Sequence, residues 1–136
     1  MESKYKSKIG LELIFLAYLP FIPSLYFVYT EFNLVGLLTL IGLFIFINYL
    51  VFTTEYTIDT NAKILIVKSG FLVHKSIDIL KIKEIKKSKS WISSPALSID
   101  RIEITYNKFD SILISPKNRE QFINELQLIN STINYV

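Results

Sequence analysis

Five lysines stand out by type and spacing: Lys81, Lys83, Lys86, Lys87 and Lys89, gathered around a single Glu84 and followed by Trp91. Their chemistry is contact with anions. A lysine ammonium is a compact point charge, and beside an anionic leaflet each one contributes about 1 kcal/mol of attraction. Trp91, the only tryptophan, suits the headgroup level, where an amphipathic ring meets both water and apolar chains. The same run also reads as a solvated strand face, because lysines keep an exposed sheet edge from pairing with another chain. Both readings stand on the sequence, the first with an anionic lipid or a protein partner as its ligand.

Other chemistries find little to work with. Without cysteine there is no disulfide framework, thiol nucleophile or thiolate metal site. The only histidine, His74, lies next to Lys75 on an alternating stretch and reads as a rim residue rather than a base. No glycine-rich phosphate loop, nucleophile elbow or metal-ligand spacing occurs. We therefore expect no enzyme activity, no cofactor and no metal. A net charge of +3, without a basic face interleaved with aromatics, argues against a nucleic-acid partner.

The elements that must position these residues begin with two apolar runs, about 9–30 and 34–53, separated by Glu31-Phe32-Asn33. About 20 helical residues cross a hydrocarbon core roughly 30 Å thick, so each run is long enough to span. Three intervening residues suffice only for a tight turn, which predicts a transmembrane hairpin. The first run is too long for a signal peptide, and Leu19-Pro20-Phe21-Ile22-Pro23 offers no small-residue cleavage site. Lys4, Lys6 and Lys8 precede the hairpin, and twelve Lys/Arg against nine Asp/Glu follow Phe52. That bias puts both termini on the cytoplasmic side of the cell membrane, with the 31–33 turn outside.

Residues 1–8 then form a basic cytoplasmic lead-in, 9–53 the hairpin and 54–136 a cytoplasmic domain. Within the hairpin, Pro20 and Pro23 should bend the first span, and Asn48 is placed to hydrogen-bond across to it. Glu12 is one turn from the lysine-rich end and is expected to reach headgroups or to pair with Lys8 at i,i+4.

From Thr54 the periodicity changes to alternation. Strands are predicted at 56–59, 64–67, 71–78, 79–88, 99–106 and 111–115, with turns at Thr60-Asn61, Ser69-Gly70 and Asn107-Lys108. Ser93-Ser94-Pro95 breaks the chain, and Ala96-Leu97 reads as a helical turn. Ser115 is placed to cap a helix with Pro116 in its first position. Phe122, Ile123, Leu126 and Ile129 then mark its apolar face. The result is an α+β domain: a bent antiparallel sheet or partial barrel of about 6–7 strands, capped by one C-terminal amphipathic helix.

That order of elements resembles the pleckstrin-homology (PH) architecture. Two stretches, Ser94-Pro95-Ala96-Leu97-Ser98-Ile99-Asp100-Arg101-Ile102-Glu103-Ile104 and Ile114-Ser115-Pro116-Lys117-Asn118-Arg119-Glu120-Gln121-Phe122, resemble signatures of bacterial PH-domain proteins of unknown function with two N-terminal membrane spans. The resemblance implies a PH-like fold and membrane tethering, with no defined ligand. Of its motif residues, Ser98 and Arg101 suggest a phosphate or peptide pocket, since arginine offers a planar fork to anions. A structural role accounts for them more simply, together with Pro95, Leu97, Ser115, Pro116 and Phe122. The reading that follows is a membrane-anchored binding module. The alternative is a protein protecting against bacteriocins or membrane stress, in which the hairpin itself intercepts the toxin.

Overall fold

The computed structural model describes residues 1–89 and 96–136. The chain opens on a strand where the sequence suggested only a basic lead-in. Strand β1 (Glu2–Lys6) pairs antiparallel with β2 (Glu55–Asp59), in a register that sets Tyr5 opposite Tyr56 and Lys6 opposite Glu55. Tyr5 is the only apolar residue in the strand, so its alternation is too brief to read from sequence. Its burial, and a 3.3 Å ion pair between Lys6 and Glu55 across the ladder, hold it in place.

The helices are inserted between these two paired strands. Two stretches, Leu11–Thr30 and Leu34–Thr53, are helical, apolar and long enough to cross a membrane, and neither has a buried window. The bend expected in the first is a break, dividing it into α1 (Leu11–Tyr18) and α2 (Phe21–Thr30). Proline has no amide to donate. Pro20 precedes α2 and Pro23 falls in its first turn, where no intrahelical donor is required. The second, α3 (Leu34–Thr53), is capped by Asn33, whose side chain accepts from the Gly36 amide at 3.2 Å. Asn48 does not reach across to the first span. Its side chain donates to the Phe44 carbonyl of its own helix at 2.8 Å, the nearest acceptor available to an amide on an apolar helix.

The sheet-rich region follows as β2, β3 (Ile64–Ser69), β4 (Val73–Asp78), β5 (Ile82–Lys89), β6 (Asp100–Tyr106), β7 (Asp110–Ile114), α4 (Arg119–Ile129) and β8 (Asn134–Tyr135). The strands form two four-stranded sheets, ordered β1-β2-β3-β4 and β7-β6-β5-β8, and not a closed barrel. All neighbours are antiparallel except β8, a two-residue strand beside β5. The strand expected at 79–88 starts late, because the Asp78 side chain accepts from the Leu80 amide at 3.0 Å and winds Ile79–Lys81 into a 3-10 turn. Residues 97–99 bend without becoming helical.

One apolar core joins the sheets. Ile58, Leu65 and Val67 of the first meet Ile85, Ile102, Ile104 and Ile114 of the second, and α4 adds Phe122, Ile123 and Leu126. Phe122 is fully buried and packs edge-on against Tyr5, with ring centroids 5.1 Å apart. Burying one such side chain contributes about 1.5–3 kcal/mol. The helix starts at Arg119 rather than at Pro116, and its Asn118 cap makes no side-chain bond. Ser115 is not the cap, since its hydroxyl is engaged elsewhere.

Candidate functional site

The junction where the hairpin leaves the sheet concentrates the polar chemistry of the molecule. Ser7, directly after β1, is buried, and buried hydroxyls require partners. The Tyr56 hydroxyl donates to Ser7 Oγ at 3.0 Å and the Leu97 amide donates to the same oxygen at 3.2 Å. Ser115 Oγ lies 3.0 Å away, and the Ser115 amide donates to the Tyr56 hydroxyl at 3.2 Å. Burial pushes the Tyr56 hydroxyl above its ordinary pKa, against the opposing pull of Ser7 and Ser115. Pro116 is also buried and bridges to Ser7. These contacts bring both motif stretches onto the end of β1.

A second knot ties the start of the hairpin to the same loop. The Glu12 carboxylate, in the first turn of α1, accepts from Ser98 Oγ at 3.1 Å and from the Ile99 amide at 2.9 Å. Alongside, the Gly10 amide donates to the Leu97 carbonyl at 2.7 Å. Glu12 therefore holds the 97–99 bend, in place of the expected pairing with Lys8. Lys8 reaches Asp100 instead, at 3.0 Å, and Arg119 approaches the other oxygen of that carboxylate at 2.6 Å. Arg119 and Lys8 hold Asp100 below the ordinary carboxylate range. Arg101 is only 3% exposed and donates through Nε to the Ser98 carbonyl at 2.6 Å. Burial lowers its pKa. The structure thus brings Ser98 and Arg101 together inside the domain, with the guanidinium turned away from solvent.

The other end of the hairpin is fastened by the β3–β4 turn. Gly70 sits at φ +53°, the left-handed conformation that glycine adopts freely. A Cβ there would come within 2.8 Å of Leu50 Cδ2 and 2.9 Å of Tyr49 Cε1 on α3. The next residue, Phe71, stacks on Tyr49 with ring centroids 6.2 Å apart and lies tilted 6.1 Å from Phe46. Thr54 Oγ1 donates to the Leu50 carbonyl at 2.7 Å and lies 2.8 Å from Ser69 Oγ.

The lysine run is distributed rather than gathered. All five side chains are exposed. Successive strand residues face opposite ways, so on β5 Lys86 points to one face, and Lys87 and Lys89 point to the other. Lys83 falls where the β5–β6 register shifts. Lys81 lies 3.9 Å from Asp78, and Lys86 lies 2.9 Å from Glu84, which raises its pKa. Lys87 approaches the Tyr135 ring at 5.9 Å. Trp91 and Pro95 lie outside the described residues.

Sequence reasoning did not single out Ser7, and it paired Lys8 with Glu12 rather than with Asp100. Glu12 carried a signal, an ionisable group at the edge of an apolar helix. Its partners, however, are 86 and 87 residues away.

Two four-stranded sheets sharing a core with one C-terminal helix define a PH-like α+β region, here with a helical hairpin inserted between its first two strands. The chain belongs to the bacterial PH domain family, which matches residues 54–130, more than half of its length. No curated protein and no solved structure matches. Strands β1 and β8 fall outside the matched span, although both pair with strands inside it.

Proposed function

We propose that this protein is a non-catalytic, membrane-anchored binding module, whose PH-like domain docks a protein partner or an anionic lipid at the inner face of the cell membrane. The observation that carries the reading is the insertion of the hairpin between paired strands. Residues 2–6 and 55–59 belong to one ladder, so both must lie on the same side of any membrane that the two spans cross. The lysine bias before and after the hairpin favours the cytoplasmic side. Contacts from Glu12, Phe46 and Tyr49 to the domain support a fixed posture close to the bilayer rather than a loose tether.

The test has two parts. The chain lacks cysteine, so Phe32→Cys and Ser131→Cys each introduce one thiol. An impermeant maleimide applied to intact cells should label position 32 and spare position 131. The full-length protein, extracted from its native membrane in mild detergent, is then assayed by mass spectrometry for bound proteins and lipids. One species enriched well above its share of the membrane supports docking. Neither a protein nor a lipid overturns it and favours the protective alternative. In that case replacing residues 14–45 by unrelated apolar spans would abolish protection.

A further inference from the structure

We infer that the hairpin–domain junction is a binding site for one anionic glycerophospholipid, its phosphate held by Lys6, Lys8 and Lys117 and one acyl chain lying between α1 and α3. The inference rests on the membrane-anchored reading above and names a lipid and a place for it.

A cleft of about 490 Å³ opens where the two spans leave the sheet. Its cationic lining is Lys6 and Lys8 from the end of β1, and Lys117 from the segment between β7 and α4. Ile9, Val51 and Phe52 form its apolar side, and among the described residues no carboxylate lines it. Three lysines line the cleft, and Lys117 is remote in sequence from the other two. The backbone brings them together, because the Lys117 amide donates to the Lys6 carbonyl at 3.0 Å and the Lys8 amide donates to the Ser115 carbonyl at 2.6 Å. Lys6 and Lys8 each also touch one carboxylate outside the cleft lining, Glu55 and Asp100. Lys117 makes no ion pair among the described residues.

The cleft continues into a second space. A groove of about 280 Å³ runs between the first and second spans, lined by Leu13, Ala17, Ile47 and Leu50, and it shares Ile9 and Val51 with the cleft. Its lining is almost wholly apolar. The level is fixed by Lys6 Nζ, which donates to the carbonyl of Phe52 in the last turn of α3 at 3.3 Å. The cations therefore sit at the exit of the spans, and the groove occupies about the first two turns inside them. A soluble anion matches only the cleft. A fatty chain without a phosphate matches only the groove. A phospholipid with net negative charge matches both, with its phosphate and chain in the order in which they occur in a leaflet.

The experiment uses the full chain in nanodiscs of phosphatidylglycerol and phosphatidylcholine at a ratio of about 1:4, extracted into mild detergent and read by native mass spectrometry. We expect one phosphatidylglycerol per chain to be retained over phosphatidylcholine. Each of Lys6→Gln, Lys8→Gln and Lys117→Gln should lower retention about five-fold, the equivalent of about 1 kcal/mol per lysine near an anionic surface. Lys117→Gln is the decisive variant, because it disturbs no ion pair among the described residues. Ala17→Phe, which fills the groove and leaves every charge in place, should also lower retention. Glycerol 1-phosphate should not displace the lipid.

Retention that is unchanged in Lys117→Gln and Ala17→Phe, but falls in Lys83→Gln/Lys86→Gln/Lys87→Gln, overturns this site while leaving a lipid-binding module intact. Displacement by glycerol 1-phosphate reduces the site to an anion cleft and overturns the acyl groove. A stoichiometric protein partner with no retained lipid overturns the inference and preserves the proposed function.

Discussion

Gly70→Ala tests whether the domain is packed onto the hairpin or merely follows it. At φ +53° an alanine adopts the left-handed conformation at a cost of about 1–2 kcal/mol. Its Cβ would also meet Leu50 Cδ2 at 2.8 Å and Tyr49 Cε1 at 2.9 Å. Overpacking costs about 1–3 kcal/mol, and the lower figure applies because both neighbours are side-chain rather than backbone atoms. Alanine also stiffens the unfolded chain, which returns about 0.4–1 kcal/mol. The net expectation is a loss of about 2 kcal/mol, a large fraction of the stability of a small domain. The assay is urea unfolding of the full-length protein in detergent micelles, followed by the sheet signal in circular dichroism. Gly70→Asn separates the two contributions, since asparagine tolerates this conformation but keeps the Cβ. The double variant Gly70→Ala/Leu50→Ala should lose less than the sum of the single variants, because it removes one of the two clashes. A Gly70→Ala protein within about 0.5 kcal/mol of the parent, the range of neutral surface changes, with no coupling to Leu50→Ala, would refute the docking of this turn on α3.

Further expectations concern the two carboxylate knots and the edge strand. Asp100 has a folded-state pKa lowered by Arg119 and Lys8. Its stabilisation is present above the unfolded value of about 3.9 and is lost as pH falls through the folded one. Asp100→Asn should therefore flatten the acid limb of the stability profile, measured as urea midpoint against pH. Tyr5 donates its hydroxyl to Glu125, and burial together with that carboxylate pushes its pKa up to about 12. That contribution is complete below pH about 10 and is lost as pH rises through about 12. Tyr5→Phe should remove one late-ionising phenol from the ultraviolet titration, and Glu125→Gln should move it to lower pH. Glu12→Ala should speed hydrogen exchange at the Ile99 amide, with Glu12→Gln intermediate, because glutamine keeps an acceptor oxygen without the charge.

Much of the architecture is local in origin, and that part is legible in the sequence. Gly70 announces a turn by its own conformational freedom, and Phe122, Ile123 and Leu126 repeat at helical spacing. The hairpin is written in two long apolar runs with a polar break. The features that escape are those whose partners are remote. Strand β1 offers one apolar side chain, Tyr5, and its ladder partner lies beyond both spans. Ser115 has the residue type and neighbour of a helix cap, yet Ser7 and Tyr56 claim its surroundings through the fold. The lysine run was conspicuous because its members are adjacent in the chain, whereas the strand alternation divides them. Lys117 is remote in sequence from Lys6 and Lys8, yet all three line one cleft.

The place where the hairpin is inserted has a practical consequence for dissecting the molecule. A fragment started at Thr54, where the family match begins, would lack the strand that covers the edge of β2, the Tyr5 ring that packs on Phe122, and the hydroxyl shared by Tyr56 and Leu97. Open sheet edges invite pairing with other chains, so such a fragment should aggregate. The ladder suggests its own remedy. Lys6 and Glu55 are neighbours across it, so residues 9–53 can be replaced by a short loop of about two to five residues, the usual length of a strand-to-strand turn. The product would be an uninterrupted, water-soluble sheet domain that keeps its own first strand.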